Sequence, residues 1–175
     1  MKYLVITLFS FLLLFSCSKN SEDQEYEIGQ HPLWPKEPFK RDYTIQFPDT
    51  YKGGLVVGFE GNIFNKLKQI DSTRFWYGYS NGLFFYDFND TLFNTEQSSI
   101  TAVFNYGNLV LVLPKKIKFT QNGQLIGLLY HNSDVQSYGR IFWKDDGYFK
   151  ASADIKFKPQ NLSEVIEVVR TIQRR

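Results

Sequence analysis

Four acidic side chains are the best candidates for acid–base chemistry in this chain: Glu60, Asp71, Asp87 and Asp90. Two carboxyl groups in one cleft, one of them with a raised pKa, could act as acid and base on a glycan. Only the fold can bring these groups together, so a carboxylate-dependent envelope enzyme stays one hypothesis. Asp87, Asn89 and Thr91 have the alternate spacing of calcium ligands, but the segment lacks a calcium loop's glycine and distal glutamate. We interpret Asn89-Asp90 as a turn, with Asp87 on the solvent face of a strand.

Other catalytic and metal-binding patterns are missing from the sequence. It contains no Gly-x-Ser-x-Gly, no His-x-x-x-His or Cys-x-x-Cys pair and no glycine-rich phosphate loop. The two histidines are separate: His31 precedes a proline, and His131 follows a predicted strand. We therefore assign no catalytic residue, no metal ligand and no cofactor site.

Aromatic side chains form 18% of the chain, with 17 Phe, 11 Tyr and 3 Trp. Alternate residues of a strand share a face, so the aromatic run at residues 75–79 loads both faces of one strand. If both faces are buried, these side chains are core. Otherwise Trp76, Tyr79 and Trp143 would form an exposed aromatic platform for a glycan or a protein partner, and they are the candidate binding residues.

Cys17 is the sole cysteine and follows an apolar run at residues 3–15, which Lys2 precedes. This run is shorter than the about 20 residues that a membrane-spanning helix needs. Its length and positive start are typical of a signal peptide, with an uncleaved anchor helix as the alternative. An exported chain with one cysteine forms no internal disulfide, so the thiol needs another explanation.

The residues up to Cys17 resemble the lipobox of bacterial lipoproteins, of the Bacteroidetes type in particular. Leu14, Ser16 and Cys17 match the motif, whereas Phe15 is larger than the usual residue. The resemblance implies that signal peptidase II removes residues 1–16. It also implies that Cys17 becomes a lipidated first residue with thioether-linked diacylglycerol and an amide-linked chain such as palmitate. Several chains would anchor the protein stably to a membrane.

Ser18 stands where an aspartate would favour retention in the inner membrane, so the resemblance implies the outer membrane. Glu22 and Asp23 resemble a surface-export signal and suit a solvated linker equally well. Residues 1–16 carry one charge, Lys2, so the mature chain has 19 basic side chains against 18 acidic ones. This balance argues against a nucleic-acid partner.

The pattern divides the chain into three parts. After the signal peptide, residues 17–42 are polar and then interrupted by Pro32, Pro35 and Pro38, which predicts an extended tether. We expect its Trp34 and Phe39 to dock on the domain. Residues 43–175 are predicted to form a single globular, β-rich domain.

Turn residues between apolar runs predict successive hairpins in this domain. The four proposed turns contain Asn81-Gly82, Gly107-Asn108, Asn122-Gly123 and Asp145-Asp146-Gly147. The run at residues 109–113 is apolar on both faces, which predicts a central strand covered on both sides. Residues 63–70 suit a helix or a strand, and we favour a strand.

Asn161 and Glu164 predict the start of a C-terminal helix with a stripe of apolar side chains. We expect Arg170, Arg174 and Arg175 near its C-terminus, where they suit the helix dipole. The predicted fold class is α+β and mostly β: an antiparallel hairpin meander of about 8–10 strands with this helix packed on the sheet, or a β-sandwich or barrel with a terminal helix. The final strand and helix are similar to the PsbP-like and Mog1-like sandwich, an analogy of fold alone.

These observations favour a membrane-anchored envelope lipoprotein whose domain is a non-catalytic interaction module for a protein or glycan. A carboxylate-dependent enzyme and an immunity lipoprotein that neutralises a toxin are the alternatives. An exposed aromatic surface would favour binding, and a cleft with two of the four carboxylates would favour catalysis.

Overall fold

The computed structural model describes residues 23–40, 42–58, 61–77, 93–104 and 109–175. The predicted signal peptide, Cys17 and Tyr79 lie outside these ranges. The described chain is mostly β structure with an α-helix, α1 (Leu162–Val169), after a 3-10 turn (Pro159–Asn161). Its strands are β1 (Gln24–Glu27), β2 (Lys36–Lys40), β3 (Tyr43–Gln46), β4 (Tyr51–Gly58), β5 (Gly61–Lys68), β6 (Thr73–Tyr77), β7 (Ile100–Phe104), β8 (Leu109–Leu113), β9 (Lys115–Gln121), β10 (Gln124–His131), β11 (Ser137–Asp145), β12 (Tyr148–Phe157) and β13 (Gln173–Arg174).

Eight strands form a central sheet in the order β1-β9-β10-β11-β12-β6-β5-β4. Neighbouring strands in this sheet are antiparallel, except for β1 and β9, which are parallel. In the described residues the sheet is open, with β1 and β4 at its edges, so a closed barrel is wrong. The predicted mostly β fold with a C-terminal helix near the sheet is confirmed.

Local turn chemistry explains two of the predicted hairpins. Asn122 and Gly123 join β9 to β10 with positive φ angles of 50° and 74°. Asp146 and Gly147 join β11 to β12 with φ angles of 48° and 88°. Two consecutive residues with positive φ angles form a turn whose twist matches that of the two strands it joins. Asn, Asp and Gly adopt positive φ angles most readily.

Alternate residues of the central strands enter two separate cores. Leu129 and Ile141 belong to one cluster, whereas their neighbours Leu128 and Phe142 belong to the other. Because adjacent residues in a strand point to opposite faces, the sheet is buried on both sides. We call the first side the helix face and the second the hairpin face.

The helix face is covered by α1 and by a three-stranded sheet in the order β13-β3-β2. The helix buries Val165, Ile166, Val168 and Val169. It ends earlier than predicted, because Gln46 donates its backbone N–H to Thr171 Oγ1 at 2.8 Å and the next residues pair with β3.

The predicted roles of polar residues at both ends of the helix need correction. Asn161 makes no side-chain cap bond. Its amide donates instead to Thr73 Oγ1 at 2.9 Å. Arg174 lies in β13 opposite Tyr43, beyond the helix end, and Arg175 donates its N–H to the Asp42 carbonyl. Of the three predicted arginines, only Arg170 adjoins the helix C-terminus.

The hairpin face is covered by β7 and β8, which form a two-stranded sheet. Leu113 is fully buried there, but Val110 and Val112 are 60% and 59% exposed. The predicted central strand at residues 109–113 is therefore wrong, since only its inward residues are covered. Arg140 on β11 donates to the Val103 carbonyl at 2.7 Å and joins this hairpin to the sheet.

The segment predicted as a tether contributes one strand to the central sheet and one to the three-stranded sheet. Residues 24–27 form β1, paired with β9, and residues 36–40 form β2, paired with β3. Phe39 is 1% exposed and Trp34 packs on the helix-face core, so their predicted docking is confirmed. Residues 24–27 and 36–40 are thus strands of the domain, and the boundary predicted at residue 43 is corrected.

Residues 63–70, whose sequence suits a helix or a strand, fall mostly within β5. The favoured prediction of a strand is confirmed. Of the hairpin predicted around Asn81-Gly82, only β6 lies in the described residues. In the part of the chain that the structure describes, no helix is long and apolar enough to cross a membrane.

Candidate ligand groove

Strand directions define two ends of the central sheet. The start of β1 and the loops at residues 69–72 and 132–136 lie at one end, which we call the proximal end. The two tight turns that follow β9 and β11 lie at the other, which we call the distal end.

A groove of about 420 Å³ opens at the distal end, between the two hairpin turns and the three-stranded sheet of the helix face. This volume is within the range of ligand pockets. Its lining residues come from five separate stretches of the chain: Ile28, Tyr43, Gln121, Ile126, Trp143, Lys144, Asp146, Gly147, Ile172, Gln173 and Arg174.

The floor of the groove is apolar and contains Trp143. This indole lies across the backbone of Gly127, where a Cβ would approach its ring to 2.2 Å. Only glycine leaves space for the ring there. Phe119 packs against Trp143 with ring centroids 5.9 Å apart, and Ile172 is fully buried beside them. These contacts fix the floor before any ligand binds.

The rim of the groove is polar and exposed. Lys144 lies near the end of β11, and Asp146 belongs to the β11–β12 turn. Arg174 from β13 lies 3.7 Å from Asp146 in an exposed ion pair. Gln121 is exposed on the opposite side. Such a pair contributes little to stability, so these groups can exchange partners for a ligand at low cost.

Tyr43 fixes the inner wall of the groove. Its hydroxyl donates to the Lys144 carbonyl at 2.8 Å and lies 3.4 Å from Asp145 Oδ1. Burial, and then the nearby Asp145 carboxylate, raise the pKa of Tyr43. The hydroxyl therefore remains a proton donor at neutral pH and holds the β11–β12 turn against β3.

The predicted aromatic platform does not form as proposed. Trp143 is 4% exposed and belongs to the helix-face core, whereas Trp76 is half-buried against the hairpin-face core. Adjacent residues of β6 point to opposite faces, which places Phe75 with the first core and Trp76 with the second. A shared exposed platform of the two tryptophans is therefore wrong, and Tyr79 lies outside the described residues. Trp143 still contributes to the groove as part of its floor.

Asp71 has a structural environment. Its carboxylate accepts the Thr73 N–H at 3.0 Å and lies 3.1 Å from Lys68 Nζ. Although partial burial opposes this, those hydrogen bonds and the Lys68 charge leave its pKa below the usual value. A general acid would need the opposite shift. The other three candidates, Glu60, Asp87 and Asp90, lie outside the described residues.

Neither histidine has a catalytic partner among the described residues. His31 stacks on Trp34 with ring centroids 3.9 Å apart. His131 is buried, its Nδ1 lies 2.8 Å from the Asn132 carbonyl oxygen, and burial lowers its pKa. Both rings act as packing groups.

Sequence reasoning missed a contact between Lys40 Nζ and Ser152 Oγ, which are 3.2 Å apart. Burial lowers the pKa of Lys40 to about 8, although Asp145 opposes the change. An amine of this kind beside a hydroxyl can activate a nucleophile. Ser152, however, is 4% exposed at a β-bulge, so a substrate cannot reach its hydroxyl. No spacing in the sequence links these two residues.

Within the described ranges, no three His, Cys, Asp or Glu side chains lie close enough to hold a metal ion. No protein-family model matches this chain, and neither curated proteins nor solved structures match it significantly. The analogy to the PsbP-like and Mog1-like sandwich stays an untested prediction.

Proposed function

We propose that this chain is a lipid-anchored protein of the bacterial envelope, at the outer membrane, whose domain binds a glycan segment without catalysis. The observation that carries the binding function is the distal groove, with its preformed apolar floor and exposed polar rim. A sugar ring offers apolar C–H surfaces to the partly exposed Ile28 and Ile126 and hydroxyl groups to the rim. The anchor rests on the lipobox resemblance at Cys17.

The size of the groove favours a glycan over a protein as its occupant. Eleven residues line it. A standard protein interface uses about 20–30 residues on each side. A cavity of about 420 Å³ instead fits a small, largely buried ligand.

The anchor is tested by intact mass of the protein extracted from native membranes, beside a Cys17→Ala variant. We expect a mature chain that begins at Cys17 and carries acyl chains, which the variant lacks. A native chain that still begins at Met1 would refute lipidation and make residues 3–15 an anchor helix.

Binding is tested by titrating the acyl-free protein with fragments of digested peptidoglycan and with neutral and acidic oligosaccharides. Calorimetry and tryptophan fluorescence report the complex. Lys144→Ala and Arg174→Ala should each weaken binding about tenfold, because each removes one charge-assisted hydrogen bond. Lys158→Ala at the proximal end is the matched control. Equal affinity in all four proteins, or no binding of any glycan, would contradict the proposal.

A further inference from the structure

The chain enters the domain at a fixed point of the proximal end. Asp23, directly before β1, lies 3.1 Å from both Lys116 Nζ and Lys118 Nζ on β9. The backbone of Gln24 is then in register with Ile117 in the parallel pair. The point at which a leader would reach the domain is thus set by strand pairing and two ion pairs.

The leader between a lipidated Cys17 and Asp23 is short. Six Cα–Cα steps span about 20 Å when fully extended. The strand β9 is itself about 20 Å long, and it runs from the proximal to the distal end. To bring the distal end to the bilayer, the leader would have to stretch fully back along the sheet. Any conformation of the leader leaves the proximal end no more than about 20 Å from the bilayer.

The proximal end carries two highly exposed apolar side chains on separate loops. Ile70, in the β5–β6 loop, is 87% exposed, and Val135, in the β10–β11 loop, is 90% exposed. Three strand spacings separate the two loops, or about 14 Å. Each side chain is at a loop tip, where it can enter an apolar phase without unfolding any strand.

Two exposed lysines at this end can meet anionic headgroups, and the exposed Asp134 beside Val135 carries the opposite charge. Lys115 at the start of β9 and Lys158 after β12 are exposed, and Lys158 follows the strand that separates the two loops. The carboxylate of Asp71, next to Ile70, is already paired with Lys68. Exposed lysines beside apolar tips are typical of membrane-surface contacts, where the lysines meet lipid phosphates.

We infer that the proximal end rests on the lipid bilayer, with Ile70 and Val135 at the boundary of headgroups and acyl chains and with Lys115 and Lys158 on anionic headgroups. The groove at the opposite end then opens away from the bilayer. This inference rests on the proposed lipid anchor at Cys17, which sets the distance between domain and membrane.

The test uses the full, acylated protein with one introduced thiol, since Cys17 is the sole native cysteine. Ile70→Cys and Val135→Cys are labelled with an environment-sensitive fluorophore and reconstituted into vesicles of phosphatidylethanolamine and phosphatidylglycerol. Val57→Cys is the matched control, because Val57 is also apolar and 74% exposed but lies toward the distal end. Nitroxide-labelled lipids act as the quencher.

We expect a blue-shifted emission and strong quenching for labels at 70 and 135, and an aqueous spectrum without quenching at 57. Lys115→Glu with Lys158→Glu should reduce quenching at position 70. Three aqueous labels would overturn the inference and mean a domain standing free of the bilayer. Quenching at 57 alone would also overturn it, because the distal end would then face the lipid.

The mass of each labelled sample separates failure of this inference from failure of the anchor. An acylated chain with aqueous labels at 70 and 135 contradicts only the orientation. A chain without acyl groups contradicts the anchor proposed above, and with it the basis of this inference.

Discussion

The helix face of the central sheet is covered by segments from both ends of the described chain, whereas the described cover of the hairpin face is the β7–β8 hairpin together with Phe93, which stacks on Phe142 with ring centroids 3.9 Å apart. On the helix face, β2 and β3 meet β13 and α1 in a continuous second layer. Twenty buried residues form that core among the described positions, against eight on the hairpin face. Within the described ranges, more buried apolar side chains lie on the helix face than on the hairpin face.

Both covers are also joined to the sheet by buried charges. On the helix face, Lys66 lies 2.6 Å from Glu37 of β2. On the hairpin face, Arg140 Nε lies 2.7 Å from Asp154 Oδ1 and the same guanidinium holds the Val103 carbonyl. The two covers are thus held by different polar contacts. A cation on a backbone carbonyl attaches the hairpin, and a side-chain ion pair attaches β2.

The largest expected effect comes from breaking the link on the hairpin face. Asp154 is 1% exposed and lies 2.7 Å from Arg140 Nε, so Asp154→Ala removes a buried charge partner of Arg140 and should cost about 3–5 kcal/mol. Urea unfolding measures the loss, and hydrogen exchange should show the protection of β7 and β8 falling first. Asp146→Asn, which removes the exposed pair with Arg174, is the control and should change stability by less than about 0.5 kcal/mol. Equal losses in the two variants would contradict the proposed role of burial.

The next effect concerns a charge on the helix face. The pKa of Lys40 is lowered to about 8, chiefly by burial, whereas an unfolded lysine titrates near 10.4. The unfolded chain therefore binds more protons between these values, and the free energy of unfolding should rise with pH across that window, by about 3 kcal/mol if it is fully traversed. Below pH 8 Lys40 is protonated in both the folded and the unfolded state, so the free-energy cost of burying its charge is constant.

Chemical unfolding at intervals from pH 7.5 to about 9 measures this rise, at least about one pH unit below the ordinary tyrosine pKa of about 10. Lys40→Met should remove the rise and stabilise the protein at pH 7.5. Lys144→Met, at an exposed lysine, should retain it. A parallel rise in the Lys40→Met variant would assign the pH dependence to another group.

Gly127→Ala tests the packing of the helix face beneath the groove. The new Cβ would meet the Trp143 ring at 2.2 Å. The ring must move, at a cost of about 1–3 kcal/mol. Tryptophan fluorescence and thermal unfolding report the displacement and its cost. Gly54→Ala is the matched control, since its nearest contact would be 3.8 Å away, and it should unfold at or above the wild-type temperature.

The smallest effect is expected on the outer side of the hairpin. Val112 is 59% exposed, so Val112→Thr should change stability by less than about 0.5 kcal/mol. Its neighbour Leu113 is fully buried, and Leu113→Ala should cost about 2–5 kcal/mol. Similar losses at both positions, measured by urea unfolding, would mean that something covers the outer side.

Local chemistry made several elements predictable from sequence. Asn122-Gly123 and Asp146-Gly147 are turns because few other residues tolerate their positive φ angles. The hairpin of β7 and β8 was predicted from the turn residues Gly107-Asn108. The exposure of one face of β8 could not be predicted, because an apolar residue on an outer face looks the same in sequence as one under a second layer.

The N-terminal strands and the groove required long-range information. The pairing of β1 with β9 joins residues more than ninety positions apart. Neither strand has a clear alternation of apolar and polar residues from which the pairing could be predicted. The groove collects Ile28, Trp143 and Arg174 from three distant segments. Trp143 was singled out by its residue type, but its partner Gly127 gave no signal. The contact of Lys40 with Ser152 was equally hidden.

The parallel pairing of β1 has a mechanical consequence. Any pull on the chain ahead of Asp23 enters the domain along β1, whose hydrogen bonds to β9 lie across the direction of force. A load applied in this way is shared by the whole set of bonds at once, in shear, instead of opening them one after another as a zipper. The two lysines that hold Asp23 are loaded together with them. The edge strand β1 is thus also the place where tension would be borne.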